Sequence, residues 1–172
     1  MKQLRFEQIE PGNENHRLEA LSLWIPYIKE IYVDDPEEMS KKDEELEKEL
    51  QARIEIQGQQ YGMHFELVYS ECNELVGFTF YAVDHGGIEG MLEAGYGYIM
   101  EYYICPKHRR KGYAASVFLH VQTMLVRDGV KRLYLTPDSK TGVPFWTAMG
   151  FYETGLIDPD NHMPIYIKDC IL

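Results

Sequence analysis

The sequence is poor in cysteine, and the three it has, Cys72, Cys105 and Cys170, lie far apart with no CxxC pair among them. An odd, sparse count argues against a disulfide framework and for a reducing compartment. Long apolar runs are missing as well. No stretch approaches the roughly 20 residues that span a bilayer, and the opening MKQLRFEQIE has charges where a signal peptide needs an apolar centre. The six histidines are scattered, with no pair at a metal-ligand spacing such as HExxH. Neither GxxxxGK[ST] nor GxGxxG occurs, so the common nucleotide loops are excluded. Positive charge is in deficit: the net charge is -11, and the only dense basic cluster, Lys107–Lys111, is too short to track a duplex. These absences lead us to expect a soluble cytoplasmic protein with no metal, no membrane and no nucleic-acid partner.

What is present suits a single domain spanning 1–172. Hydrophobic residues make up 45% of the chain, enough for a sizeable core. Gln3–Ile9 alternates as a strand does. His16–Tyr32 has helical apolar spacing, with Pro26 as a candidate kink. Glu37–Gln57 predicts a second helix from near Ser40, its charges forming a solvated face or an acidic wall for a cationic substrate. His64–Tyr69 and Leu75–Val83 predict a hairpin turning at Ser70–Glu74. Asp84–Gly95, with glycines at 86, 87, 90 and 95, is either a long hairpin loop or a flap beside a substrate. Tyr98–Ile104 predicts a strand, Ala114–Arg127 a helix stopped by Gly129, and Arg132–Leu135 a short strand. Gly142–Met149 predicts a short helix ended by Gly150, before a closing hairpin of Phe151–Leu156 and Pro164–Lys168. The pattern is α/β, with strand–loop–helix–strand at its centre.

The loop in that central unit suits an anion. A strand ends at Ile104, a basic loop follows, and a helix opens after Gly112. Helix N-termini leave backbone N–H groups unpaired and carry partial positive charge, which is what phosphate oxygens require. Gly112 lets backbone come close to a ligand, and Arg109, Arg110 and Lys111 add charge. On this loop alone, a plain charged connection stays open beside a phosphate site.

The neighbouring residues narrow the choice. Ile104-Cys105-Pro106 is followed by Arg109-Arg110-Lys111-Gly112-Tyr113-Ala114, and the later helix ends in Trp146-Thr147-Ala148-Met149-Gly150-Phe151. This resembles the GNAT acetyltransferases, whose signature is [RQ]-x-x-G-x-[GA] after an aliphatic-x-Pro strand end, with a downstream helix closing in Gly-Phe. The detailed likeness covers roughly 64–157. It implies a central mixed, mostly antiparallel sheet of about seven strands flanked by helices, with a splayed parallel strand pair forming the CoA cleft. It also implies acetyl-CoA as cosubstrate and a small-molecule or peptide amine as acceptor; a homodimer stays open.

Carried over residue by residue, the likeness places Tyr102, Tyr103 and Ile104 along the pantetheine arm. It wraps Arg109, Arg110, Lys111, Gly112, Tyr113, Ala114 and Ala115 around the pyrophosphate. Glu101 stands where many family members have an acid, and would take the proton from the acceptor ammonium. Two positions depart from the pattern. Trp146 occupies the place of a tyrosine that reprotonates the leaving thiolate, and indole has no proton suited to that task. Ser139 replaces a common asparagine, although its hydroxyl could still reach the pantetheine. The general acid is therefore unassigned, with water, Tyr134 or another tyrosine as candidates. A covalent route through Cys105 lacks a His–Asp partner pattern. The rival reading is a GNAT-like domain that binds acyl-CoA without turnover.

Overall fold

The computed structural model describes residues 2–57 and 59–170. Its elements are β1 (Leu4–Gln8), α1 (Glu14–Ile31), α2 (Pro36–Ser40), α3 (Asp43–Ile56), β2 (Met63–Ser70), β3 (Leu75–Asp84), β4 (Tyr96–Ile104), α4 (Tyr113–Arg127), β5 (Arg132–Leu135), α5 (Gly142–Ala148), β6 (Tyr152–Ile157) and β7 (Pro164–Asp169), with a 3-10 turn at Pro106–His108. The strands form one seven-stranded sheet in the order β1-β2-β3-β4-β5-β7-β6. The β1–β2, β5–β7 and β6–β7 pairs are antiparallel. β4 and β5 are parallel, which requires a crossover, and α4 is that crossover. Their register holds only Gly97↔Leu133 and Tyr98↔Tyr134, while β4 runs on to Ile104.

Local chemistry accounts for the helix ends. Asn13 caps α1 by accepting the His16 N–H at 3.2 Å. Pro26 lies inside α1 without splitting it. The helix expected from near Ser40 is α3, and a short helix, α2, precedes it. Asp35 caps α2 through the N–H groups of Glu37 and Glu38 at 3.0 and 3.2 Å, and α3 begins after Lys42, whose N–H donates to Glu45 at 3.0 Å. Lys41 and Lys42 between them are extended, with ψ of 136° and 157°. Lys41 bridges the break, 2.7 Å from both Glu38 and Glu49. No helix among the described residues is long and apolar enough to cross a membrane.

By packing, the chain divides into two units. The first runs through Phe80 and resumes at Glu101–Val117. Its core joins Trp24, Tyr27 and Ile28 of α1 to Leu46, Leu50 and Ile54 of α3 and to Phe65, Phe78 and Tyr103 of the strands. Gly77 is needed where β3 meets β4, because a Cβ there would lie 2.0 Å from the Tyr103 carbonyl oxygen. The second unit takes Tyr81–Met100 and everything from Phe118 onward. In it the Tyr98 and Tyr134 rings stack at 4.4 Å, and Trp146 packs between Phe118, Phe145 and Phe151.

Candidate active site

Side chains alternate along β4, so Glu101 and Tyr103 share one face and Tyr102 takes the other. Glu101 lies on the face packed by α1 and α3, with its side chain 14% exposed. The Tyr27 phenol donates to Glu101 Oε2. Arg53 Nε stands 3.3 Å from Oε1, and the Arg53 guanidinium lies 4.7 Å from the centre of the Trp24 ring. Thr79 Oγ1 donates to the Glu101 carbonyl at 3.3 Å, which ties the strand at that residue to β3. Burial drives the Glu101 carboxyl above its ordinary range, against the lowering effect of Tyr27 and Arg53. Burial also raises the Tyr27 phenol well above normal, and the Glu101 charge adds to this. The arrangement can hold a proton-accepting carboxylate with one oxygen fixed.

The basic loop has the backbone of an anion cradle. Arg110 and Gly112 both take left-handed angles, φ +58° and +85°. Such alternation turns successive N–H groups toward one point, and at Arg110 a non-glycine residue bears the strain. The ladder of α4 opens with Ser116 N–H donating to the Gly112 carbonyl at 3.3 Å, so the N–H groups of Tyr113, Ala114 and Ala115 precede the helix's own bonding. A Cβ built on Gly112 meets no atom within 4 Å, so the space in front of it can admit a ligand. Arg110 and Lys111 are exposed.

Other loop residues brace the cradle. Arg109 donates from Nε to the Ile104 carbonyl at 2.8 Å, and its two terminal nitrogens meet the two oxygens of Glu30. Tyr102 donates its hydroxyl to the Ala114 carbonyl at 2.5 Å, which anchors the first turn of α4 to β4. His108 is buried against Tyr113, and its Nε2 has no hydrogen-bond partner among the described residues. Burial, with help from Lys107, holds this imidazole below its ordinary pKa. Burial raises the half-buried Cys105 thiol, which disfavours the thiolate that a covalent route needs.

Ser139 and Trp146 belong to the second unit. Ser139 is on an exposed turn. Trp146 is 6% exposed within its ring of phenylalanines. Tyr134 donates its hydroxyl to Asp84 Oδ2 at 2.8 Å, and Asp84 Oδ1 accepts from the N–H groups of Gly86 and Gly87. Asp84 therefore organises the glycine-rich loop. Among the described residues no group of three or more His, Cys, Asp or Glu side chains is placed to hold a metal ion.

Tyr27 and Arg53 escaped the sequence reading as partners of Glu101, as did Trp24 as the ring against Arg53. A signal existed for Arg53, which follows Leu50 by three residues and so borders the apolar stripe of Leu46, Leu50 and Ile54. Glu30, the partner of Arg109, gave none.

Residues 25–151 match the model of the acetyltransferase (GNAT) family. No curated protein sequence matches the chain. Among solved structures it is similar to the PaiA N-acetyltransferase from Thermoplasma acidophilum in complex with coenzyme A. That match has 14% identity and a TM-score of 0.69, over 97% of this chain and 99% of the other. An acetyltransferase from Thermus thermophilus has 17% identity and a TM-score of 0.71, over 98% of this chain and 99% of that one. One from Streptococcus agalactiae has 18% identity and a TM-score of 0.64, over 96% and 98%. At these identities the likeness concerns the fold.

Proposed function

We propose a reaction for this chain on one premise: it belongs to the acetyltransferase (GNAT) family. The reaction is transfer of an acetyl group from acetyl-CoA to a primary amine by direct attack, without an acyl-enzyme. When bound, acetyl-CoA supplies an activated acetyl thioester. The left-handed residues Arg110 and Gly112, the N–H groups of Tyr113–Ala115 and the charges of Arg110 and Lys111 fit its pyrophosphate. Tyr102–Ile104 offer strand backbone to the pantetheine amides. Arg109 braces the loop through Glu30 and Ile104.

The observation that carries the reading is the Glu101 carboxyl, nearly buried, raised in pKa and fixed at one oxygen by Tyr27. Alkyl ammonium groups have a pKa of about 10.4, so at neutral pH the acceptor arrives protonated and must lose a proton before it can attack. Glu101 takes that proton. A carboxyl with its pKa moved up toward neutrality is a better matched base than an ordinary surface one. No side chain is assigned to protonate sulfur, because Tyr134 already donates to Asp84. Water serves.

The test is thiol release from acetyl-CoA across a panel of primary amines. Amine-dependent release that Glu101→Gln abolishes supports the reading. Acetyl-CoA binding with no release for any amine would instead favour a domain that only binds acyl-CoA.

A further inference from the structure

The two oxygens of Glu101 are held unequally. Oε2 takes the Tyr27 hydroxyl, and the Tyr27 ring is packed by Trp24, Phe78 and Tyr103 at centroid distances of 5.6, 5.2 and 5.4 Å. That partner cannot leave without opening the core. Oε1 faces Arg53 Nε across a long 3.3 Å contact, and the Arg53 side chain is 33% exposed. A base that must receive a proton from substrate needs one free oxygen, and only Oε1 can be freed.

The place that Arg53 fills is chemically a cation site. The guanidinium lies between a carboxylate and the face of the Trp24 indole. Neither feature is particular to guanidinium: a carboxylate and an aromatic face attract any compact cation. Arg53 also has somewhere to go. Its terminal nitrogen donates to the Glu49 carbonyl on its own helix at 3.2 Å, a bond that does not involve Glu101. Lys41 is held by Glu38 and Glu49.

We propose that the Arg53 guanidinium is an internal stand-in for the acceptor's ammonium group. The substrate cation takes the same place between Trp24 and Glu101 Oε1, and Arg53 swings outward to admit it. The acceptor class is then a primary ammonium on a slim alkyl chain, and Arg53 sets acceptor affinity by competing with it. This rests on Glu101 acting as the base. It goes further in naming the acceptor subsite and the residue that guards it.

The experiment titrates wild type and Arg53→Ala with n-butylammonium and with methylguanidinium, following tryptophan fluorescence. Trp24→Phe in each background isolates the signal from that of Trp146. Removing the internal competitor should tighten both cations by about tenfold or more. Adding Glu101→Gln to Arg53→Ala should abolish the gain. Arg53→Lys keeps a cation on the stem and should stay weak-binding. Arg53→Gln is the alternative should the alanine variant fold poorly. In turnover, Arg53→Ala should lower KM for butylamine and leave KM for acetyl-CoA unchanged. Equal or weaker cation binding in Arg53→Ala and Arg53→Gln would overturn the proposal. So would a raised amine KM confined to carboxylate-bearing acceptors, which would make Arg53 a substrate-carboxylate ligand. The fluorescence titration needs no chemistry, so it is separable from the base assignment: Glu101→Gln with normal kcat sinks the base while the cation site stands or falls separately.

Discussion

Glu30 and Arg109 meet in a two-pronged pair, 2.7 Å at each contact, between α1 and the basic loop. The guanidinium is thereby committed to protein, and its Nε to the Ile104 carbonyl. Both partners are partly exposed, so the pair is worth at most about 1 kcal/mol. Glu30→Ala should therefore weaken acetyl-CoA binding by less than about tenfold, measured by calorimetry. A larger loss would mean that Glu30 does more than brace the loop.

The left-handed Gly112 gives a sharper test. Asparagine tolerates positive φ better than most residues, so Gly112→Asn and Gly112→Asp should fold alike. If phosphate sits in front of this residue, the aspartate should repel it and the asparagine should merely crowd it. Wild type with acetyl-CoA at 100 times Kd should gain about 2.7 kcal/mol of stability, seen as a melting shift. Gly112→Asp should show none. High salt should narrow the gap between the two variants, because screening weakens the repulsion. Equal shifts for Gly112→Asp and wild type would place the pyrophosphate elsewhere.

Glu101→Gln should lower kcat by roughly 10²–10⁴ near neutral pH, with acetyl-CoA affinity little changed. The wild-type acid limb should lie above the ordinary glutamate value of about 4.3, because burial raises this carboxyl. Tyr27, Tyr32, Arg53 and Glu49 are the charged or titratable groups coupled to it. Tyr27 and Arg53 favour the ionised form, so Tyr27→Phe should move the limb to higher pH. The same shift has a stability consequence. A folded pKa above the unfolded one means that the native state binds the proton more tightly. Its contribution to stability is present at low pH and is lost as pH rises through the folded pKa. The stability difference between wild type and Glu101→Gln should fall across that window in urea melts.

Asp138 should behave oppositely. Partial burial alone would raise it, yet hydrogen bonds from Thr141, Lys140 and Gly142 hold its carboxyl below the ordinary aspartate range. It accepts at 2.8, 3.0 and 2.7 Å from those N–H groups, ahead of α5. Its contribution is thus present above the unfolded pKa and lost as pH falls through the lower folded value. Asp138→Ala should cost about 0.5–2 kcal/mol, the range for losing a side chain that bonds the N–H groups at a helix start. Well below the ordinary aspartate value of about 3.9, urea melts of the variant and wild type should converge.

Most elements were legible in the sequence because their signals are local. Alternation marks β1, apolar runs on either side of a polar turn mark β2 and β3, and glycines at positive φ stop α4 and α5, while the parallel β4–β5 pair was implied by the family resemblance. The short helix α2, set off from α3 at Lys41–Lys42, was not legible. Two lysines carry no break signal, and what separates α2 from α3 is a pair of local acid caps, Asp35 and Glu45, inside a run of acids that looks uniform. At the candidate site, motif order singled out the loop and Glu101 as expectations. It could not single out the partners of Glu101, because they come from residues 27 and 53, and nothing local says which faces of α1 and α3 will meet β4. Asp138 was not legible either: nothing in the sequence marks it, and its bonds go to backbone N–H groups ahead of α5.

Gly77 makes none of the chemistry and touches no proposed ligand, yet a side chain there would force Tyr103 of β4 away. Tyr103 is two residues from Glu101 on the same face, and its ring packs on Tyr27. In a saturation screen scored by turnover, position 77 should therefore mimic a catalytic residue, with nearly every replacement inactive. A screen scored by yield of folded protein would tell it apart, because Glu101→Gln should pass that filter and substitutions at 77 should not. Intolerance to change is then a poor guide to mechanism along β3, and a position can be silent chemically while setting where the base stands.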